Sequence, residues 1–240
     1  MALAEGSVIS LAIVRFPFLT PPVAPGISFV VIRAFLSAAL ISLACLPASA
    51  QVALPPEVEH SAVAAVKELG QQVVVGNHKV AIDRMYQPWK DRLAAQVPGG
   101  MKALEETMAG VGQQMAAQGI SILSFRVDGK PTAYEVDSGK EEVVEDGRKV
   151  EKMIFKKWLL LVPTVTEIRI MPPAKPGDPA PKSQVWASSS FQVAISDKGK
   201  NDWTFIDGSK LRVSELRRLF FNLPENLALP EIKAEEKKVK

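Results

Sequence analysis

The sequence predicts an α+β domain, with N-terminal helices packed on an antiparallel sheet and a short helix near the C-terminus. Three observations predict it. Apolar residues recur at three- and four-residue steps between about residues 57 and 118. From Ile120 onward apolar and polar residues alternate, the pattern of half-buried strands. A last apolar set, Leu216, Leu219 and Phe220, returns to helical spacing. Helices segregated from strands along the chain indicate α+β rather than α/β.

The first predicted helix covers residues 57–74, with Val58, Ala62, Ala65, Leu69 and Val73 on one stripe. Gly76-Asn77 stops it, and Asn77 is placed to cap a second helix from His78 through Tyr86. Pro88 should end or kink that helix, because proline disfavours helical geometry in the residue before it. Pro98-Gly99-Gly100 turns the chain into a third helix over residues 101–118, striped by Met101, Leu104, Met108, Val111 and Met115. Gly110-Val111-Gly112 lies inside this pattern and reads as close helix packing, not as a nucleotide loop.

Strands are predicted over residues 120–127 and 132–136, joined at Asp128-Gly129, with a polar stretch over 137–149. A long strand follows over 153–162 and another, after Pro163, over 166–171. Five prolines between residues 172 and 181 predict an extended exposed loop. A last hairpin joins residues 185–196 to 203–206, and Ser214 is the expected cap of the closing helix. The charged tail, residues 231–240, has the composition of a disordered segment.

Residues 1–50 stand apart from this domain. Within them, residues 31–50 combine Arg33, an apolar run to Cys45, Pro47 and the small exit Ala48-Ser49-Ala50. That is a secretory signal with cleavage before Gln51, so the working domain is residues 51–230 in the periplasm or outside the cell. Residues 1–30, with Pro17, Pro21, Pro22 and Pro25, are an upstream extension; a start at Val30 or Val31 would put Arg33 at the head of the signal. An uncleaved membrane anchor is the rival reading, opposed by Arg33 within the run and by the small-residue exit. A lipid anchor on Cys45 is disfavoured because Ser42 stands where a lipobox has leucine. Membrane contact is expected only through the signal segment.

Composition excludes several chemistries. Lys and Arg number 29 against 26 acids, with no obvious basic cluster, so no nucleic-acid partner is expected. The one cysteine, Cys45, falls in the signal, which leaves the exported domain without a thiol nucleophile or disulfide. The two histidines, His60 and His78, lack ligand spacing, so no metal is expected. No phosphate loop, dinucleotide fingerprint or nucleophile elbow is present, and no cofactor is expected.

The order of elements resembles the nuclear-transport-factor-2-like superfamily, the ketosteroid-isomerase-like cone. The likeness rests on Gly76-Asn77 between the first two helices and on Met85-Tyr86 one helical span later. It rests also on the terminal pair Ala194-Ile195-Ser196-Asp197-Lys198-Gly199 and Trp203-Thr204-Phe205-Ile206-Asp207-Gly208. It covers about residues 57–221, and its motifs describe turns and packing rather than chemistry. The resemblance implies helices in the concave side of a strongly curved sheet, a layout also near to cystatin. It leaves function open, because this fold carries isomerases, dehydratases, adaptors and structural proteins.

Candidate residues follow. Asp83 and Tyr86, three residues apart, would share a helical face and are the only catalytic candidates; isomerases of this fold pair an aspartate base with a tyrosine donor. An exposed Asp83 and a packed Tyr86 is the favoured alternative. Tyr86, Trp89, Met108 and Trp186 are the candidate ligand-binding residues, since aromatic and sulfur side chains line apolar cavities. Core packing competes at each of them. The expected function is an exported non-enzymatic domain that binds a small apolar ligand or an envelope protein partner. Its alternatives are a cofactor-independent isomerase or dehydratase and a structural envelope protein. A dimer is compatible with all three.

Overall fold

A computed structural model describes residues 54–145, 147–171 and 182–237. The expected signal segment, upstream extension and proline-rich loop lie outside the described residues. Five helices come first: α1 (Pro56–Val74), α2 (Lys79–Asp83), α3 (Gln87–Ala94), α4 (Gly100–Ala109) and α5 (Val111–Ala117). Strands β1 (Ile120–Val127), β2 (Thr132–Glu145), β3 (Arg148–Ile170), β4 (Gln184–Asp197) and β5 (Thr204–Asp207) follow. Helix α6 (Val213–Leu219) and strand β6 (Lys233–Lys237) end the described chain. The domain is therefore mixed α+β with an antiparallel sheet, as the segregated periodicities predict.

β3 and β4 form the sheet's spine, paired from Lys157↔Asp197 to Ile170↔Gln184. The outer edge of β3 is shared: β2 pairs with its first part and β1 with its last. The outer edge of β4 is shared in the same way by β5 and β6. Leu159, Leu160, Leu161 and Val162 are all fully buried. Consecutive strand residues point to opposite faces, so both faces of the spine must be covered. Ala62, Ala65, Val66 and Leu69 of α1 pack on Trp158, Leu160, Val162 and Ala194. On the other face Leu159, Leu161, Phe191 and Val193 meet Leu211, Leu216, Phe220 and Leu223 from the C-terminal segment. Trp203 is a core residue whose indole N–H donates to Ser61 Oγ at 2.9 Å.

Several elements differ from expectation, each for a local reason. Pro88 stands in the first turn of α3, where its missing N–H has no helical partner to lose. The helix expected over 101–118 is divided at Gly110 into α4 and α5. Asn77 does not cap α2; its side-chain amide donates to Gln72 at 2.9 Å and α2 starts after His78. Ser214 is not the cap of α6, which follows Arg212; the Arg212 N–H donates to the Glu215 carboxylate at 3.0 Å.

Pro163 does not interrupt β3. Its carbonyl accepts from Asp128 N–H, so its donor-less side faces the turn where β1 gives way to β2. Residues 137–145 of the polar stretch extend β2, which pairs with β3 in register out to Glu145↔Arg148. The alternating charges form cross-strand ion pairs, Lys140–Glu151 at 2.8 Å and Lys149–Glu142 at 3.0 Å. The tail expected to be disordered contributes β6, paired with β4 from Val185↔Lys237 to Ser189↔Lys233. Composition alone misled there, because the free edge of β4 supplies backbone partners and Glu167 supplies a carboxylate to Lys237.

Gly70 lets α1 approach β1 closely. A Cβ at this position would stand 1.9 Å from the Phe125 ring. Glycine costs a helix about 0.5–1 kcal/mol relative to alanine. Overpacking costs about 1–3 kcal/mol, so the clash outweighs the helical gain. Gly70→Ala is expected to lower stability by about 1–2 kcal/mol in urea unfolding. A stabilised variant would show that α1 and β1 are not in contact at Gly70.

Candidate functional site

The even-numbered positions of β3 and β4 face α1 and change character along the sheet. Leu160, Val162 and Ala194 are apolar and sealed by α1. Beyond them the same face carries Thr164, Thr166, Ser188, Ser190 and Gln192, paired as Thr164↔Ser190, Thr166↔Ser188 and Val162↔Gln192. A cavity of about 260 Å³ opens where the apolar part gives way to the polar part. Leu69, Gly70 and Val73 of α1, Ala81 of α2 and Met108 of α4 form its helical wall, with Met85 beside them. Ile122, Phe125 and Phe205 are its apolar lining on the sheet side, and its polar groups are Thr166, beside Phe125, and the pair Gln192 and Asp207. Gln192 and Asp207 are direct cross-strand partners. Asp207 is fixed by Ser209, whose N–H donates at 3.2 Å and whose hydroxyl donates at 2.6 Å.

Met85 reaches the cavity because the chain leaves the helix at Arg84 and residues 85–86 are extended. Phe205 N–H donates to Arg84 O at 2.8 Å and Tyr86 N–H donates to Phe205 O at 2.9 Å, so the segment runs along β5. Extended neighbours point to opposite sides. Met85 therefore lines the cavity, while Tyr86 turns to the other face and stacks on Phe220 with ring centroids 5.6 Å apart.

This separates the predicted site residues. Met108 lines the cavity. Tyr86 and Trp89 do not; both pack on the opposite core. Trp186 is half-buried on the helix-facing side of the sheet, opposite Ile168 and outside the cavity's lining. Asp83 and Tyr86 do not share a helical face, because α2 ends at Asp83 and Tyr86 precedes α3. Asp83 is exposed and paired with Lys79 at 2.5 Å. His78 packs on α5: a Cβ on Gly112 would meet its ring at 2.4 Å, the close packing expected of that glycine pair. Among the described residues no group of three His, Cys, Asp or Glu gathers as metal ligands, and no helix is long and apolar enough to cross a membrane. Sequence reading missed the cavity's polar groups. Its signal was present in the Thr/Ser positions of β3 and β4, which interrupt an otherwise apolar face.

A second, polar cleft of about 220 Å³ lies around the Tyr86 hydroxyl, Lys157, Asp197 and Lys200. Lys157 Nζ stands 2.8 Å from Asp137 and 3.0 Å from Asp197, and Lys200 reaches Asp197 at 3.0 Å. The hydrogen bond to Asp137 raises the Lys157 pKa above its ordinary value. Hydrogen bonds from Lys200 and then Lys157 lower that of Asp197. Burial raises that of Tyr86. Every shift moves the pKa further from neutral pH, whereas a proton-transfer group works best with a pKa near the working pH. The cluster is an ion network with its charges fixed.

No family model, curated protein or solved structure matches this chain.

The depressed Asp197 pKa fixes the sign of a pH effect. A carboxylate whose folded pKa lies below its unfolded value contributes stability fully above that unfolded value, about 3.9, and loses it as pH falls through the folded one. Asp197→Asn is therefore expected to be less stable than wild type at pH 7. The gap should close as the pH is lowered below about 4. Urea unfolding of both proteins across this range checks it; a gap that stays constant contradicts the ion network.

Proposed function

We propose that this chain is an exported, non-enzymatic domain that holds a small, mostly apolar ligand between its N-terminal helices and its sheet. The observation that carries this reading is the cavity of about 260 Å³ walled by α1, α2, α4, β1 and β5. An apolar cavity of about 150 Å³ is enough to take up benzene. The cavity here has room for a two-ring body. Concave, mainly apolar walls with a few convergent polar groups are the usual form of a small-molecule site. Export rests on the signal-like residues 31–50. The cone layout belongs to the same proposal: helices on one face with a cavity beneath them support it, and the second covered face is a departure from it. The isomerase alternative has less support, because Asp83 and Tyr86 lie apart and the Tyr86 cleft is an ion network.

Titration calorimetry of residues 51–240 with 2-naphthylmethanol, a neutral two-ring probe, tests the reading. Saturable binding is expected, and Ala81→Phe, which puts a ring into the cavity, should abolish it while unfolding stays cooperative. Met108→Ala should lose less than about 1 kcal/mol of stability, since its site is already partly open, against about 2–5 for a sealed core site. Undiminished binding by Ala81→Phe would place the probe elsewhere.

A further inference from the structure

The cavity's lining is apolar except for Thr166, Gln192 and the charged Asp207. Among the described residues the lining contains one carboxylate, Asp207, which is exposed at the cavity's mouth, and no cation. The carboxylate is held in place by Ser209, which uses two of its roughly four acceptor positions. Gln192 stands beside it as a cross-strand partner. Two residues along β4, on the same face, Ser190 Oγ is buried with no hydrogen-bond partner among the described residues. Buried hydroxyls are normally satisfied, so the polar end of this face has hydrogen-bonding capacity to spare. Arg84 stands beside the cavity's lining, with its guanidinium 5.1 Å from the Phe205 ring centroid. It is committed elsewhere, donating at 3.3 Å to both Glu68 and the Trp203 carbonyl.

We propose that the cavity selects an amphiphile with a cationic or donor-bearing head, such as a primary amine, seated against Asp207 and Gln192. Its apolar body lies against Val73, Met85, Met108 and Phe125. This rests on the reading of the cavity as a ligand site and adds the class of ligand. An ammonium head would exchange water for a fixed carboxylate and an amide oxygen, and such charge-assisted bonds are about twice as strong as neutral ones. A fatty-acid-like carboxylate would meet Asp207 with no cation among the described lining residues to offset the repulsion.

The test uses three probes with one body, 2-naphthylmethylamine, 2-naphthylmethanol and 2-naphthoate, titrated into residues 51–240 at pH 7. The amine is expected to bind about tenfold more tightly than the alcohol, and the carboxylate more weakly than either. In Asp207→Asn the amine-to-alcohol ratio should fall to about one. The wild-type ranking decides the matter even where that variant folds poorly. Equal binding of the three probes, or a preference for the carboxylate, overturns the head-group proposal while leaving the cavity as a ligand site. Absence of binding by any probe overturns both.

Discussion

The structure depends on one constraint: the middle of β3 is buried on both faces. Four consecutive residues, Leu159 to Val162, have no exposure, and strand geometry sends them alternately to two cores. Neither α1 nor the C-terminal segment can satisfy this alone. The segment over residues 211–229, with α6 inside it, is therefore part of the core and not an appendage. The crossing of residues 84–86 along β5 follows from the same demand. It delivers Met85 to one face and Tyr86 to the other, so that both layers share one edge of the sheet.

The cavity is the place where this two-sided packing stops being close. α1 lies flush on the sheet where Ala62, Ala65 and Val66 meet Leu160 and Val162. Toward its C-terminal end it meets a sheet face that has become polar, at Thr166 and Gln192. Desolvating such groups without partners is unfavourable, so a flush helix there would gain little. The layers separate, and α2 and α4 close the space from the side. Gly70 permits one close contact with Phe125 at its border, which fixes the height of the wall.

The fold class was legible because burial of one face leaves a periodicity, and both the helical and the strand periods are clear in this chain. α1 and β1 were legible to within a residue or two for that reason. Elements set by partners distant in sequence were not. β6 is a charged pentapeptide with no apolar pattern, and only the free edge of β4 makes it a strand. The outer parts of β2 and β3 resemble a polar loop because their stabilisation is cross-strand pairing of opposite charges. Pro163 resembles a break until β1 and β2 are seen to divide the flank of β3 between them. Met108, read on an apolar helical stripe, lines the cavity from α4. Tyr86 was misplaced because Met85-Tyr86 was read with helical spacing, and the two side chains diverge only when the segment is extended. Asp207 and Gln192 could not be paired from sequence, since their proximity exists only in the β4–β5 register.

The methionine methyl groups provide the most direct measurement. Met85 and Met108 line the cavity, whereas Met153, on the outer part of β3, is exposed and remote from it in the sheet. In methyl-labelled protein titrated with 2-naphthylmethanol, the Met85 and Met108 resonances are predicted to shift together with one affinity while Met153 stays fixed. Shifts at Met153 with none at Met85 and Met108 would contradict the account, because the ligand would then sit on the exposed hairpin and not between helices and sheet.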